Sequence, residues 1–103
     1  METRLSKRLR AVAAFVQRGS RLADVGSDHA YLPLFLVEKG IVDFAVAGEV
    51  VQGPYQSALT NVAQAGKEKL IQVRLANGLA AIQERDRIDT ITIAGMGGRL
   101  IAD

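Results

Sequence analysis

Leu5, Leu9, Val12 and Val16 recur at intervals of four, three and four, which places them on one face of a helix predicted over 5–17. Thr3 or Ser6 can cap its start, and Gly19 stands where it should stop. Its Lys and Arg residues lie mostly off that stripe. Beyond Gly19 the period changes. Residues 21–25 form a short run bounded by turn residues, a strand. Residues 30–39 hold Leu32, Leu34, Phe35, Leu36 and Val37 and are apolar nearly all round, which predicts a short buried helix. Pro33 fits its first turn, where no ladder donor is lost. Residues 44–48 are continuously apolar, as in a buried parallel strand. Residues 54–65 place Tyr55, Leu59, Val62 and Ala65 on one helical face, with Gly66 as the stop. Ile71, Val73 and Leu75 alternate with Gln72 and Arg74, which predicts a strand at the sheet edge with one wetter side. A short helix over 79–84 and a fourth strand over 88–94 complete the pattern.

Strands alternating with helices imply an α/β fold with a parallel sheet and right-handed crossovers. Such sheets bind ligands beyond the carboxyl ends of their strands, near the topological switch point. The segments that matter are therefore 26–30, 49–53, 76–78 and 95–98. Each contains glycine.

Composition narrows the classes. The chain has 103 residues, of which 49% are hydrophobic, enough for one core and too many for disorder. It has no Cys, so a disulfide scaffold or a Cys-ligated metal is excluded. One His without Cys leads to the expectation of no metal. No apolar run approaches a membrane span, and Arg8 and Arg10 interrupt any signal-like N-terminus, so a cytoplasmic protein is expected. The net charge of +2 hides an asymmetry: residues 1–21 carry +5 and the remainder −3. A basic first helix on a near-neutral body suits a polyanion such as nucleic acid. A solvated helix face is the plainer reading.

The first loop reads Asp24-Val25-Gly26-Ser27-Asp28-His29-Ala30. Gly26 permits a tight turn, but the three-glycine dinucleotide fingerprint is missing. Two carboxylates, Asp24 and Asp28, oppose a phosphate and favour a cationic or amino-bearing ligand. Asp28 can equally cap the following helix, and Asp24 can accept from loop amides. His29 is expected to hydrogen-bond within its own loop. Glu49 follows the second strand at the spacing of a ribose-hydroxyl reader, and a carboxylate can accept from two vicinal hydroxyls. Asn77-Gly78 has the donor and acceptor an adenine edge requires, and is also a common turn pair. Ala94-Gly95-Met96-Gly97-Gly98 leaves backbone amides bare.

DVGSDHAYLP at 24–33, GEVVQGPYQSA at 48–58 and IAGMGG at 93–98, behind the leading LSKRLRAVAAFV, resemble the bacterial tRNA adenine N1-methyltransferases of the TrmK family, which modify adenine 22 in the D-arm. The resemblance covers essentially all of the chain. It implies a Rossmann-like class I methyltransferase fold with S-adenosylmethionine as methyl donor. Only the first half of that fold is expected here: about four parallel strands with crossover helices over 21–103, preceded by a basic helix over 1–20. The chain stops where a fourth crossover helix would begin, so it is expected to be part of a longer domain. By the resemblance, Asp24, Gly26 and Ser27 hold the methionine part, Glu49 with Val50 beside it holds the ribose, and Asn77 and Gly78 border the adenine. Ala94 and Gly95 complete the donor site, while Met96, Gly97 and Gly98 face the target base. Relatives often carry Asp-Gly at 77–78, which leaves the adenine contact different in detail.

Adenine N1 has an in-plane lone pair, so alignment matters more than a strong base. The product base is cationic, which makes Asp28 the expected electrostatic stabiliser and Tyr31 the expected stacking partner. Lys7 and Arg8 are the expected tRNA phosphate contacts. Two other readings stay open: half of a dinucleotide oxidoreductase, against which the single loop glycine argues, and a non-catalytic module whose basic helix binds RNA.

Overall fold

The computed structural model describes residues 4–27, 29–76, 78–93 and 99–102. The helix α1 (Lys7–Ala13) starts at Ser6, whose Oγ accepts from the Leu9 amide at 3.2 Å, a side-chain cap of the expected kind. It ends four residues sooner than the apolar stripe suggests. Phe15 and Val16 donate to Val12 and Ala13 in tighter three-residue turns, which still bury Val16. The chain then runs β1 (Ser20–Val25), α2 (Tyr31–Glu38), β2 (Val42–Glu49), α3 (Gln52–Gln64) and β3 (Ile71–Leu75). Pro33 and Pro54 both sit in the first turn of their helices, where the missing N–H costs nothing. On α3 the buried positions are Ala58 and Val62, while Leu59 of the predicted stripe is exposed.

The expected helix over 79–84 is instead two single 3₁₀ turns, Gly78–Ala81 and Glu84–Asp86. Gln83 and Asp86 cap the second turn reciprocally, which stops the first from running on. Strand β4 (Thr90–Ile93) follows, then β5 (Arg99–Ala102). That last segment corrects the expectation of a fourth crossover helix, because it pairs antiparallel with β4.

The sheet order is β3-β2-β1-β4-β5, with β1 to β4 parallel and β3 at an edge, as its alternation predicts. The chain winds outward from β1 to β3 and then returns to the other side of β1. The switch point therefore lies between β1 and β4. The main core lies on the sheet face covered by α1, α2 and α3, around Leu22, Ala45, Ala47 and Ile71. A smaller cluster on the opposite face joins Ala23 and Val46 to Ala81 of the first 3₁₀ turn. Gly48 lets the two elements approach closely there, because a Cβ on it would stand 3.0 Å from that of Ala81 and one of them would have to give way. Among the described residues no helix is long and apolar enough to cross a membrane.

Candidate functional site

The carboxyl ends of β1 and β2 bring three predicted residues together. Asp24 lies on the same face as Leu22, next to the switch point, and is 1% exposed. Its register partner on β4 is Thr92, whose hydroxyl donates to Oδ1 at 2.7 Å. The Ser27 hydroxyl donates to Oδ2 at 2.8 Å, and the Ser27 amide donates to the Gly48 carbonyl at 3.0 Å. Asp24 thus accepts from hydroxyls of its own loop and of β4, where loop amides were one expectation. Burial pushes its pKa up to about 6; the Thr92 and Ser27 hydrogen bonds hold it down in part, and the nearby Glu49 charge adds to the rise.

Glu49, the last residue of β2, is also buried, at 4% exposure. Its Oε2 accepts from the His29 amide at 3.2 Å, which ties β2 to the turn between β1 and α2. Among its described residues that turn has positive φ at Gly26 (67°), His29 (72°) and Ala30 (63°). Ala30 is the N-cap of α2 and offers no side-chain cap. The cap position is therefore two residues past Asp28.

His29 also reaches beyond its own loop to α3. Its Nδ1 lies 2.5 Å from Ser57 Oγ on α3, and its carbonyl accepts from Asn61 Nδ2 at 2.9 Å. Its ring stacks on Tyr31 with centroids 5.4 Å apart. Ser57 and Asn61 were not singled out from the sequence. Their spacing of four, beside the buried Ala58 and Val62, was the available signal.

Val50 is 49% exposed at the rim, and Tyr31 is 41% exposed. Gly78 opens the first 3₁₀ turn, just past the end of β3. Lys7 and Arg8 are exposed on α1. Asp28, Asn77, Ala94, Gly95, Met96, Gly97 and Gly98 lie outside the described residues.

The chain is 48% identical over 101 residues to the tRNA (adenine(22)-N(1))-methyltransferase of Bacillus subtilis, covering 98% of this chain and 42% of the relative. A Streptococcus pneumoniae structure in complex with S-adenosyl-L-methionine superposes with a TM-score of 0.87 at 64% identity, covering 93% of this chain and 45% of that one. The TrmK of M. capricolum, solved with S-adenosyl-homocysteine, superposes at 0.80 with 40% identity, covering 86% and 40%. The chain therefore spans less than half the length of each of these relatives. A family described as a methyltransferase domain matches residues 5–103. With that match running over nearly the whole chain, including the four parallel strands β1 to β4 and the strand-end acids Asp24 and Glu49, the chain belongs to the methyltransferase domain family.

Proposed function

We propose that this chain carries the donor-binding part of an S-adenosylmethionine-dependent methyltransferase that acts on N1 of an adenine in the D-arm of tRNA. The observation that carries the reading is the pair of buried carboxylates, Asp24 and Glu49, at the carboxyl ends of adjacent strands. Two buried acids repel a pyrophosphate. They fit a ligand that is cationic, bears an amino group and offers vicinal ribose hydroxyls. S-adenosylmethionine has all three features and, when bound, supplies an electrophilic methyl group at its sulfonium. Glu49 accepts from the ribose hydroxyls, with Val50 beside it. Asp24, Gly26 and Ser27 shape the pocket for the methionine part. Asn77 and Gly78 contact the adenine of the donor, and Ala94 and Gly95, next in sequence after β4, complete the donor contacts.

The chain's own residues then align the target base rather than deprotonate it, since neutral adenine N1 carries no proton. Tyr31 offers a half-exposed aromatic face for stacking. The residue pattern of Met96, Gly97 and Gly98, with two glycines, suits contact with a planar base. Asp28 accepts from the base amino group and stabilises the positive charge that spreads into the ring. Lys7 and Arg8 contact tRNA phosphates. A cavity of about 850 Å³ against the same helix has Arg4, Arg10 and Lys39 in its lining, with Ala13, Ala14, Phe35 and Ile41, and adds basic groups for a polyanion. A tRNA substrate makes the protein cytoplasmic.

Single-turnover methylation of a tRNA transcript by the complete protein tests the reading. Methyl transfer to adenine N1 with S-adenosylmethionine, and no binding of NADH, is expected; the reverse would favour a dinucleotide oxidoreductase. Asp28→Asn keeps shape and acceptor but removes charge, so the rate is expected to fall by about 10²–10³ with donor affinity nearly unchanged. A near-native rate would leave Asp28 a structural residue.

A further inference from the structure

Two consecutive non-glycine residues with positive φ, His29 at 72° and Ala30 at 63°, form the entry to α2. Such backbone is costly for residues with a Cβ and persists only where its surroundings hold it. Here the holding groups come from two other elements. Glu49 of β2 takes the His29 amide, and Asn61 of α3 donates to the His29 carbonyl. Both backbone groups are thus engaged, and the imidazole has partners of its own. Ser57, one turn before Asn61 on the same face of α3, meets its Nδ1 at 2.5 Å. A hydroxyl can donate or accept, so this contact holds the ring in either tautomer. The oriented imidazole lies 5.4 Å from the Tyr31 ring at an interplanar angle of 30°. Tyr31 keeps 41% of its surface exposed.

Resting on the methyl-transfer reading above, we infer that Ser57 is a positioning residue: acting through the His29 imidazole, it sets the Tyr31 ring at the angle on which the target base stacks. The same loop residue binds Glu49 by its amide and orients Tyr31 by its ring. The donor end and the base end of the site are thereby held at a fixed offset by one residue. A stacked base misplaced by a fraction of an ångström loses near-attack geometry without losing the donor.

The test uses the complete protein and a tRNA transcript. Ser57→Ala puts a good helix former on α3, so folding is preserved. Its kcat is expected to fall about tenfold, while the dissociation constant for S-adenosylmethionine stays within about twofold. Ser57→Thr, which restores a hydroxyl, is expected to recover kcat to within about threefold. His29→Asn, which tolerates positive φ but removes the ring, is expected to mask Ser57→Ala in the double variant, since both act through one contact. An unchanged kcat in Ser57→Ala would overturn the inference. So would a parallel loss of donor affinity and kcat that Thr does not recover, because that is the signature of a merely structural hydroxyl. A native protein that transfers no methyl group to tRNA would overturn the reading above and this inference with it. An active native protein indifferent to Ser57→Ala would overturn this inference alone.

Discussion

Asp24 and Asp86 are both almost wholly buried aspartates, at 1% and 3% exposure, yet their surroundings drive them in opposite directions. Asp86 sits on the thinner face of the sheet in a bidentate pair with Arg74 of β3, at 2.5 and 2.9 Å, and also accepts from the Gln83 amide at 2.7 Å. Arg74 donates further to the Ala81 carbonyl at 2.8 Å. The guanidinium holds the Asp86 carboxyl below the usual carboxylate range, against the cost of burial. Its charge is spent on fastening the two 3₁₀ turns to the sheet edge. Among the described residues Asp24 has two neutral hydroxyls as partners and the unfavourable charge of Glu49 nearby, so burial dominates and its pKa rises. One acid is a fastener. The other stores unfavourable electrostatics at the switch point, the pattern expected where a cationic ligand is to be bound.

Removing the fastener is expected to have the largest effect. Asp86→Ala leaves Arg74 half-buried without its carboxylate and should destabilise the fold by about 3–5 kcal/mol, measured by denaturant unfolding. A loss below about 1 kcal/mol would show that the pair behaves like an exposed one. Asp24→Asn should act in the other direction. Folded Asp24 binds its proton more tightly than the unfolded chain does, so native stability falls as pH rises from about 4 to about 6. The amide variant lacks that loss and should be more stable at pH 7 by on the order of 3 kcal/mol, with a flatter profile across this window. A destabilised variant at pH 7 would mean that the carboxylate is structurally needed. Asp86 titrates with the opposite sign: its contribution is lost only as pH falls below the ordinary aspartate range, so the two acids separate in one pH series. Glu49→Ala should weaken S-adenosylmethionine binding by about 1.5–3 kcal/mol, read by calorimetry on the complete protein. Equal donor affinity in native and variant protein would remove Glu49 from the site and leave its contact with the His29 amide as its role.

The parallel strands were readable because a strand buried on both faces is written as an uninterrupted apolar run. Val42–Glu49 contains the run at 44–48 and extends it by two residues and one, while the alternation at Ile71–Leu75 matches the observed edge strand residue for residue. The wetter side assigned to that strand holds for Gln72, which is exposed, but not for Arg74. Arg74 is only 17% exposed, since its partner Asp86 lies twelve residues on, and neither periodicity nor local spacing links them. The same limit applies to 99–102. Its four residues suit a helix start or a strand, and the choice falls to the open ladder of β4.

At the site, local sequence placed Asp24 and Glu49 at strand ends, because chain order and strand periodicity alone fix which residue follows a strand. It also marked Gly26 as a turn residue, which its φ of 67° bears out. Tertiary structure decided what these groups touch. Thr92 reaches Asp24 across 68 residues because β4 returns to the side of β1 that β2 leaves open. Ser57 and Asn61 reach His29 across 28 and 32 residues because α3 packs beside the turn it follows by two elements. The physical reason is one of range. Backbone preference and hydrophobic period act over a few neighbours and are written in the chain, whereas the desolvation and hydrogen bonding that raise Asp24 and lower Asp86 arise only when distant segments exclude water together.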